Sequence, residues 1–334
     1  MKDFFKYALA TVVGIFMFFI VLLAFGAMSI VGMIASGESV KNVDENSVMV
    51  LKLSGTMSER SEENPWDRFG GDMLSTPGLQ ETLSAIHKAK TNEDIKGIYI
   101  EAGAFGADFA TMQELRGALE DFKQSGKWII AYGDVYSQGT YYLSSVADKV
   151  YLNPQGQVDW HGLCAEPMFV KDLLAKFGVK MQVVKVGKYK SATELFTEEK
   201  MSDANREQVQ AYIGGLWKNM CEAVAKSRKL TVAQLNEYAD NMATFDDQQT
   251  LVKKKMIDGL LYTEQVKSEV KKLLKIDADE PISQVSVADM QNVKEEKKDG
   301  EEIAVYYAYG DIVSTPLEGG GGLFGNSHMI VGNE

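Results

Sequence analysis

Apolar and polar positions follow three patterns along the chain. From Tyr7 to Gly37 there are 31 residues without Asp, Glu, Lys or Arg, rich in Phe, Ile, Val, Leu and Met. About 20 residues at 1.5 Å each cross a hydrocarbon core, so this run predicts one transmembrane helix with room for tilt. A cleaved signal peptide is the rival, but its apolar region is shorter, about 7–15 residues. Beyond the run, short β-branched segments alternate with segments of helical spacing. SVMVLKLSG (47–55), IKGIYIE (95–101), KWIIAYG (127–133), KVYLNP (149–154) and KMQVVKVG (180–187) predict strands. TPGLQETLSAIHKAK opens on Thr76 and Pro77, and Leu79, Leu83 and Ile86 share one face. DFATMQELRGALEDFKQSG spaces Met112, Leu115, Leu119 and Phe122 as a helix does and stops at Gly126. Further helices are expected in YSQGTYYLSSVAD, in PMFVKDLLAKFG, over 202–228, and after Thr231 as a cap. Alternation of this kind implies βαβ units, with a parallel sheet covered by helices.

SVMVLKLSGTM (47–57) is echoed by EIAVYYAYGDI (302–312), and the charged run NVKEEKKDGEE lies before the second copy. The expected organisation is an anchor and flank (1–45), a first repeat (46–291), a charged linker (292–302) and the start of a truncated second repeat (303–334). The natural protein is expected to be longer, since a lone strand cannot bury itself.

Charge narrows the partners. The chain has 47 acidic and 35 basic residues, a net charge of −12, which excludes a nucleic-acid surface. Lys2 and Lys6 precede the apolar run, whereas Glu38, Asp44 and Glu45 follow it. The positive-inside bias then puts the N-terminus in the cytoplasm, residues 7–37 in the lipid bilayer and the soluble part outside. Two cysteines, Cys164 and Cys221, and three histidines, His87, His161 and His328, form no zinc-binding spacing. No cofactor or metal is expected. GAFGADF (103–109) lacks the dinucleotide-binding glycine spacing, and EGGGGLFG (318–325) reads as a loop.

Two stretches carry candidate chemistry. In VVKVGKYKSATELF (183–196), Lys185, Lys188 and Lys190 crowd a turn at Gly187. A lysine acts as a base near neutrality only if burial or neighbouring cations lower its pKa by about 3 units; otherwise the stretch is a solvated basic loop. In AYGDVYSQGTYYL, Ser137 stands at a strand-to-helix turn, either as a nucleophile near helix N–H groups or as a helix cap. His161, in VDWHG, has no carboxylate at a fixed triad spacing.

Four features together resemble the signal peptide peptidase A (protease IV) family in its long, two-repeat form. They are the anchor, YSQGTYYLSSVADKVYLNPQGQVDWHG, VGKYKSA with the following MSDANREQVQAYIGGLW, and the restart near 302. The resemblance implies an α/β fold of the crotonase/Clp-protease type and a serine endopeptidase with a Ser/Lys dyad that degrades cleaved signal peptides. It implies partners as well: membrane-released signal peptides and other apolar peptides, and further copies in a homo-oligomer. The expected location is the inner (plasma) membrane, single-pass, with the soluble domain on the periplasmic side. The family's Gly-x-Tyr-Lys-Ser-Ala motif falls on Gly187, Tyr189, Lys190, Ser191 and Ala192, making Lys190 the general base. The nucleophilic serine belongs to a motif expected beyond Glu334. Aligning Tyr141 with the motif tyrosine puts Gln138, not Ser137, at the serine position of the first repeat. The 334 residues alone are therefore expected to be inactive. The alternatives are a non-catalytic membrane scaffold and a crotonase-like acyl-CoA enzyme, against which export across the membrane speaks.

Overall fold

A computed structural model describes residues 2–36, 42–60, 77–294, 303–305, 311–313 and 329–331. The chain divides into two units, Met1–Lys294 and Glu295–Glu334. In the first, α1 (Lys2–Ser36) contains the apolar window Leu9–Gly26, with a mean hydropathy of 2.7 and no side chain buried. By length and composition this helix suffices to cross a membrane.

After α1 come β1 (Ser47–Thr56), α2 (Leu79–Thr91), β2 (Ile95–Gly106), α3 (Phe109–Lys123), β3 (Trp128–Tyr136), α4 (Gln138–Ser144) and β4 (Lys149–Val158). Next are α5 (Lys171–Lys176), α6 (Glu194–Thr197), α7 (Asp203–Arg228), α8 (Val232–Asp240), α9 (Gln248–Lys253), β5 (Gly259–Leu260), α10 (Thr263–Leu274), β6 (Gln284–Ser286) and α11 (Val287–Gln291). The six strands form one sheet in the order β5-β4-β3-β2-β1-β6, and every pairing is parallel. The α/β reading therefore holds.

Strand alternation sorts the side chains onto two faces. Met49, Leu51, Ile98, Ile100, Ile129, Ala131, Val150 and Leu152 point into the main core, together with Ile86, Leu115, Phe122 and Leu143 from α2, α3 and α4. Val48, Ile130 and Tyr132 point the other way and meet Val266, Val270 and Leu274 of α10. The cap predicted at Thr231 forms, as a reciprocal capping box with Gln234 at α8, and at α3 the Asp108 carboxylate accepts from Thr111 N at 2.8 Å.

Several expectations need correction. Residues 180–187 make no strand, because no neighbouring strand is hydrogen-bonded to them among the described residues, and an unpaired strand is not stable alone. The helix expected in PMFVKDLLAKFG is only the six residues of α5 and buries none of them. Helix α2 starts at Leu79 with Gly78 as its cap; Thr76 lies outside the described residues. The two-residue β5 and three-residue β6 were not foreseen, being too short to show a period of two. In the second unit, residues 303–305 are not in a strand, 306–310 lie outside the described residues, and β7 (Asp311–Val313) pairs in parallel with β8 (Met329–Val331). The charged run from 295 to 302 and the glycines 319–322 also lie outside the described residues.

Candidate active site

The turn from β3 into α4 is held by side chains on both flanks. The Tyr136 hydroxyl donates to the Tyr151 carbonyl and the Tyr141 hydroxyl to the Met256 carbonyl, each at 2.8 Å. Burial pushes both phenol pKa values up, so they remain donors. Ser137 is the N-cap of α4: its Oγ accepts from Thr140 N at 3.2 Å and shares a hydrogen bond with Thr140 Oγ1 at 2.8 Å. The cap reading of Ser137 is the observed one.

Gln138, the next residue, is buried, and its amide is fully engaged. Nε2 donates to the Gly162 carbonyl, and Oε1 accepts from the His161 and Gly162 backbone N–H groups, all at 3.0 Å. Gly162, whose N–H and carbonyl both meet this amide, has φ +90, a conformation that strongly favours glycine. His161 does have a carboxylate: Asp159 Oδ2 is 3.2 Å from its Nε2, two residues away just past the end of β4. That spacing is a strand periodicity, which could have revealed the pair. Among the described residues no hydrogen bond joins His161 to Ser137, so these groups do not form a triad.

Between Gly162 and α7 the chain leaves the sheet as an arm. Its apolar side chains stand in solvent: Phe177 is 75% exposed, Val186 86% and Val184 fully. The arm turns at Gly187, whose φ of +104 needs a residue without Cβ, and delivers Lys190 three residues later. Lys190 is exposed, and no hydrogen bond or ion pair holds its ammonium among the described residues. Its neighbours are occupied. Lys188 Nζ reaches the Tyr189 hydroxyl at 3.3 Å, and that hydroxyl donates to Glu207 Oε2 at 3.1 Å. Gln208 Nε2 also donates to the Tyr189 carbonyl at 3.0 Å. Of the three clustered lysines, Lys188 is thus tied to α7, while the Lys190 ammonium is left without a partner.

Sequence reasoning missed Glu194, which fixes the far side of this loop. Its carboxylate is buried and accepts from Ser202 Oγ at 2.6 Å, Ser202 N at 3.2 Å and Asn205 Nδ2 at 3.0 Å. Burial raises its pKa, but the Ser202 and Asn205 hydrogen bonds, helped by Lys185, outweigh it and hold the carboxyl below its usual value. A glutamate eight residues before a Ser cap carries no local pattern that would have marked it.

The chain is thus an α/β protein with an all-parallel sheet and a motif loop on an arm leaving it. Residues 121–277 match peptidase family S49. It is similar to "Protease 4" of Salmonella typhi, 36% identical over 235 residues, covering 67% of this chain and 37% of that protein. It is also similar to "Serine protease SPPA, chloroplastic" of Arabidopsis thaliana, 24% identical over 254 residues, covering 76% of this chain and 36% of that protein. The chain thus matches little more than a third of the length of these relatives. Among solved structures, a mutant of the 1510-N membrane-bound stomatin-specific protease is similar at a TM-score of 0.41 and 10% identity, covering 73% of this chain and 98% of that one.

Proposed function

We propose that the chain is the base-carrying part of a membrane-anchored serine endopeptidase in which Lys190 is the general base of a Ser/Lys dyad. The observation that carries this reading is the Gly187–Ala192 loop. A positive-φ glycine sets the turn, Tyr189 and Lys188 are fastened to Glu207, and the Lys190 amine is left available. In the reaction, the neutral Lys190 amine accepts the serine proton as the hydroxyl attacks a peptide carbonyl, and it returns that proton to the leaving amine. The nucleophile is proposed to come from outside these 334 residues, since Ser137 is a helix cap and Gln138 is bonded to backbone.

A neutral lysine needs desolvation, and the exposed arm supplies none by itself. We propose that another copy of the chain covers the arm. Its bare Phe177, Val184 and Val186 are what such a cover would bury, together with Lys190. The substrates are apolar peptides such as released signal peptides. Helix α1 is the anchor, with Lys2 and Lys6 on the cytoplasmic side of the inner membrane and the sheet on the periplasmic side. A second reading, a non-catalytic scaffold repeat, is favoured by Gln138 standing at the aligned serine position.

Peptide hydrolysis by the whole protein in detergent distinguishes the two. Lys190→Ala should lower the rate by about 10²–10⁴, and Lys188→Ala by far less. Equal losses would make the lysines a collective structural cluster, and undiminished hydrolysis in Lys190→Ala would end the dyad reading.

A further inference from the structure

The face of the sheet turned towards α10 is only partly covered. Helix α10 packs Val266 and Val270 over it, and beyond them a cleft of about 340 Å³ stays open, within the range of small ligand sites. Its floor is aromatic, made of Tyr99 on β2 and Tyr132 on β3, and its walls are Val50, Val266, Val270 and Ile282. Two carboxylates line it, Glu101 and Asp134. Glu101 lies in register with Tyr132 on the neighbouring strand, and Asp134 stands two residues further along that strand, so the two acids share this face.

The lining contains one cation, Lys267, whose ammonium is already 2.8 Å from Glu264 Oε1. Lys52 lies in register with Glu101 on β1 and does not line the cleft. Asp134 Oδ1 accepts one hydrogen bond, from Asn153 Nδ2 at 2.8 Å. The Tyr99 hydroxyl has no hydrogen-bond partner among the described residues. Its pKa is raised by burial first and then by Glu101, Tyr132 and Asp134, so the field of both carboxylates reaches the cleft floor. The cleft thus combines an apolar channel, two π faces and an end lined by two carboxylates, with Lys52 beside Glu101 on the same sheet face and Lys267 paired to Glu264.

We propose that this cleft binds the side chain of a lysine or arginine presented by an apolar peptide segment. The alkyl stem lies along Tyr99, Tyr132 and Val270, and the cationic head sits between Glu101 and Asp134. Aromatic faces and carboxylates both select a cation. The apolar walls exceed what one alkyl stem covers, so a neighbouring apolar side chain of the same peptide takes up the rest. The site is separate from the Lys190 loop and does not depend on hydrolysis there.

The test uses the full chain in detergent and a Leu-Lys-Leu amide carrying fluorescein on its N-terminal amine, with the lysine side chain free, read by fluorescence polarisation. Replacing the peptide lysine by norleucine should weaken binding about tenfold or more. The double variant Glu101→Gln/Asp134→Asn should weaken the lysine peptide by a similar factor and leave the norleucine peptide unchanged. Both acids are exposed, so circular dichroism should show an intact fold. Lys267→Gln should tighten the lysine peptide. Any one of three results would overturn the proposal: no saturable binding up to about 1 mM, equal affinity for both peptides, or no effect of the double variant. Displacement of the peptide by an equal concentration of butylammonium would reassign the cleft to free amines and overturn it too.

Discussion

The side chain of Gln138 closes on the peptide of Gly162. Its Nε2 donates to the Gly162 carbonyl and its Oε1 accepts the Gly162 N–H, both at 3.0 Å, with the His161 N–H sharing the same acceptor. A serine here would be too short to make these bonds, so Gln138 has a structural task in this turn. Gln138→Ala leaves two part-buried N–H groups without their acceptor and should destabilise the fold by about 1 kcal/mol in urea unfolding. Gln138→Glu should cost a comparable amount, because a carboxylate cannot donate to the Gly162 carbonyl. Amide exchange at His161 and Gly162 should speed up in Gln138→Ala, which loses the acceptor, and not in Gln138→Glu, which keeps it. Stability unchanged within about 0.5 kcal/mol would show that the turn holds without the staple.

Ser137 makes a complementary case. Its Oγ caps α4 through Thr140, and among the described residues no basic side chain is hydrogen-bonded to it. A fluorophosphonate probe should therefore leave Ser137 unlabelled in the folded 334-residue chain, and Ser137→Ala should cost about 1 kcal/mol of stability. Labelled Ser137 in a peptide digest would mean that the first repeat holds its own nucleophile and that Gln138 is not the aligned position.

What could be read beforehand divides along the physics. Strands β1 to β4 and helices α3 and α7 announced themselves because burial on one face leaves a period of two or 3.6 in the sequence. The arm misled for the same reason: Val183, Val184 and Val186 have strand composition, yet composition cannot say whether a partner strand exists. The Lys190 proposal rests on its motif, whereas the Ser137 cap is legible from its position at a helix start. Glu194 and the Gln138 staple depend on pairings made only when the chain folds back, across 8 residues to Ser202 and 24 to Gly162, and no local pattern encodes those.

Glu194 makes the arm sensitive to acid. Its folded pKa is below its ordinary value, so its contribution to stability is fully present above the ordinary carboxylate range and is lost as the pH falls through the folded pKa. Protease susceptibility of residues 186–205 should accordingly rise on acidification below about pH 4. Glu194→Gln should raise susceptibility at neutral pH and flatten this dependence. A wild-type arm equally protected at both pH values would show that Glu194 does not hold it.

The two cysteines should differ in reactivity. Cys164 is exposed on the arm, whereas Cys221 is fully buried in α7, where burial first, and then Glu222, push its thiol pKa up to about 12. Thiolate is the reactive form, so iodoacetamide at mildly alkaline pH should label the folded chain once, at Cys164. Cys221 should react only after denaturant is added. Labelling of Cys221 in the native chain would mean that α7 opens away from the sheet.

Arg116 joins three helices at one point, and its replacement should be the most damaging change outside the arm. From α3 its Nη1 donates to the Tyr142 carbonyl and to Ser145 Oγ, the latter at 2.9 Å, at the end of α4. Its Nη2 reaches Ala223 O at 3.0 Å and Ser227 Oγ at 2.7 Å on α7, while Nε pairs with Glu120 Oε1 at 3.1 Å. The guanidinium also lies 4.8 Å from the centre of the Tyr142 ring. The fork serves two directions at once, which one ammonium cannot do. Arg116→Lys should therefore recover little of the stability lost in Arg116→Ala, which should amount to about 3 kcal/mol, since buried carbonyls and hydroxyls lose their donor. Glu120→Ala should cost under about 1 kcal/mol, because that carboxylate is partly exposed. Thermal unfolding of the three variants checks the order, and an Arg116→Lys protein as stable as the wild type would show that charge alone, not the planar fork, holds α3, α4 and α7 together.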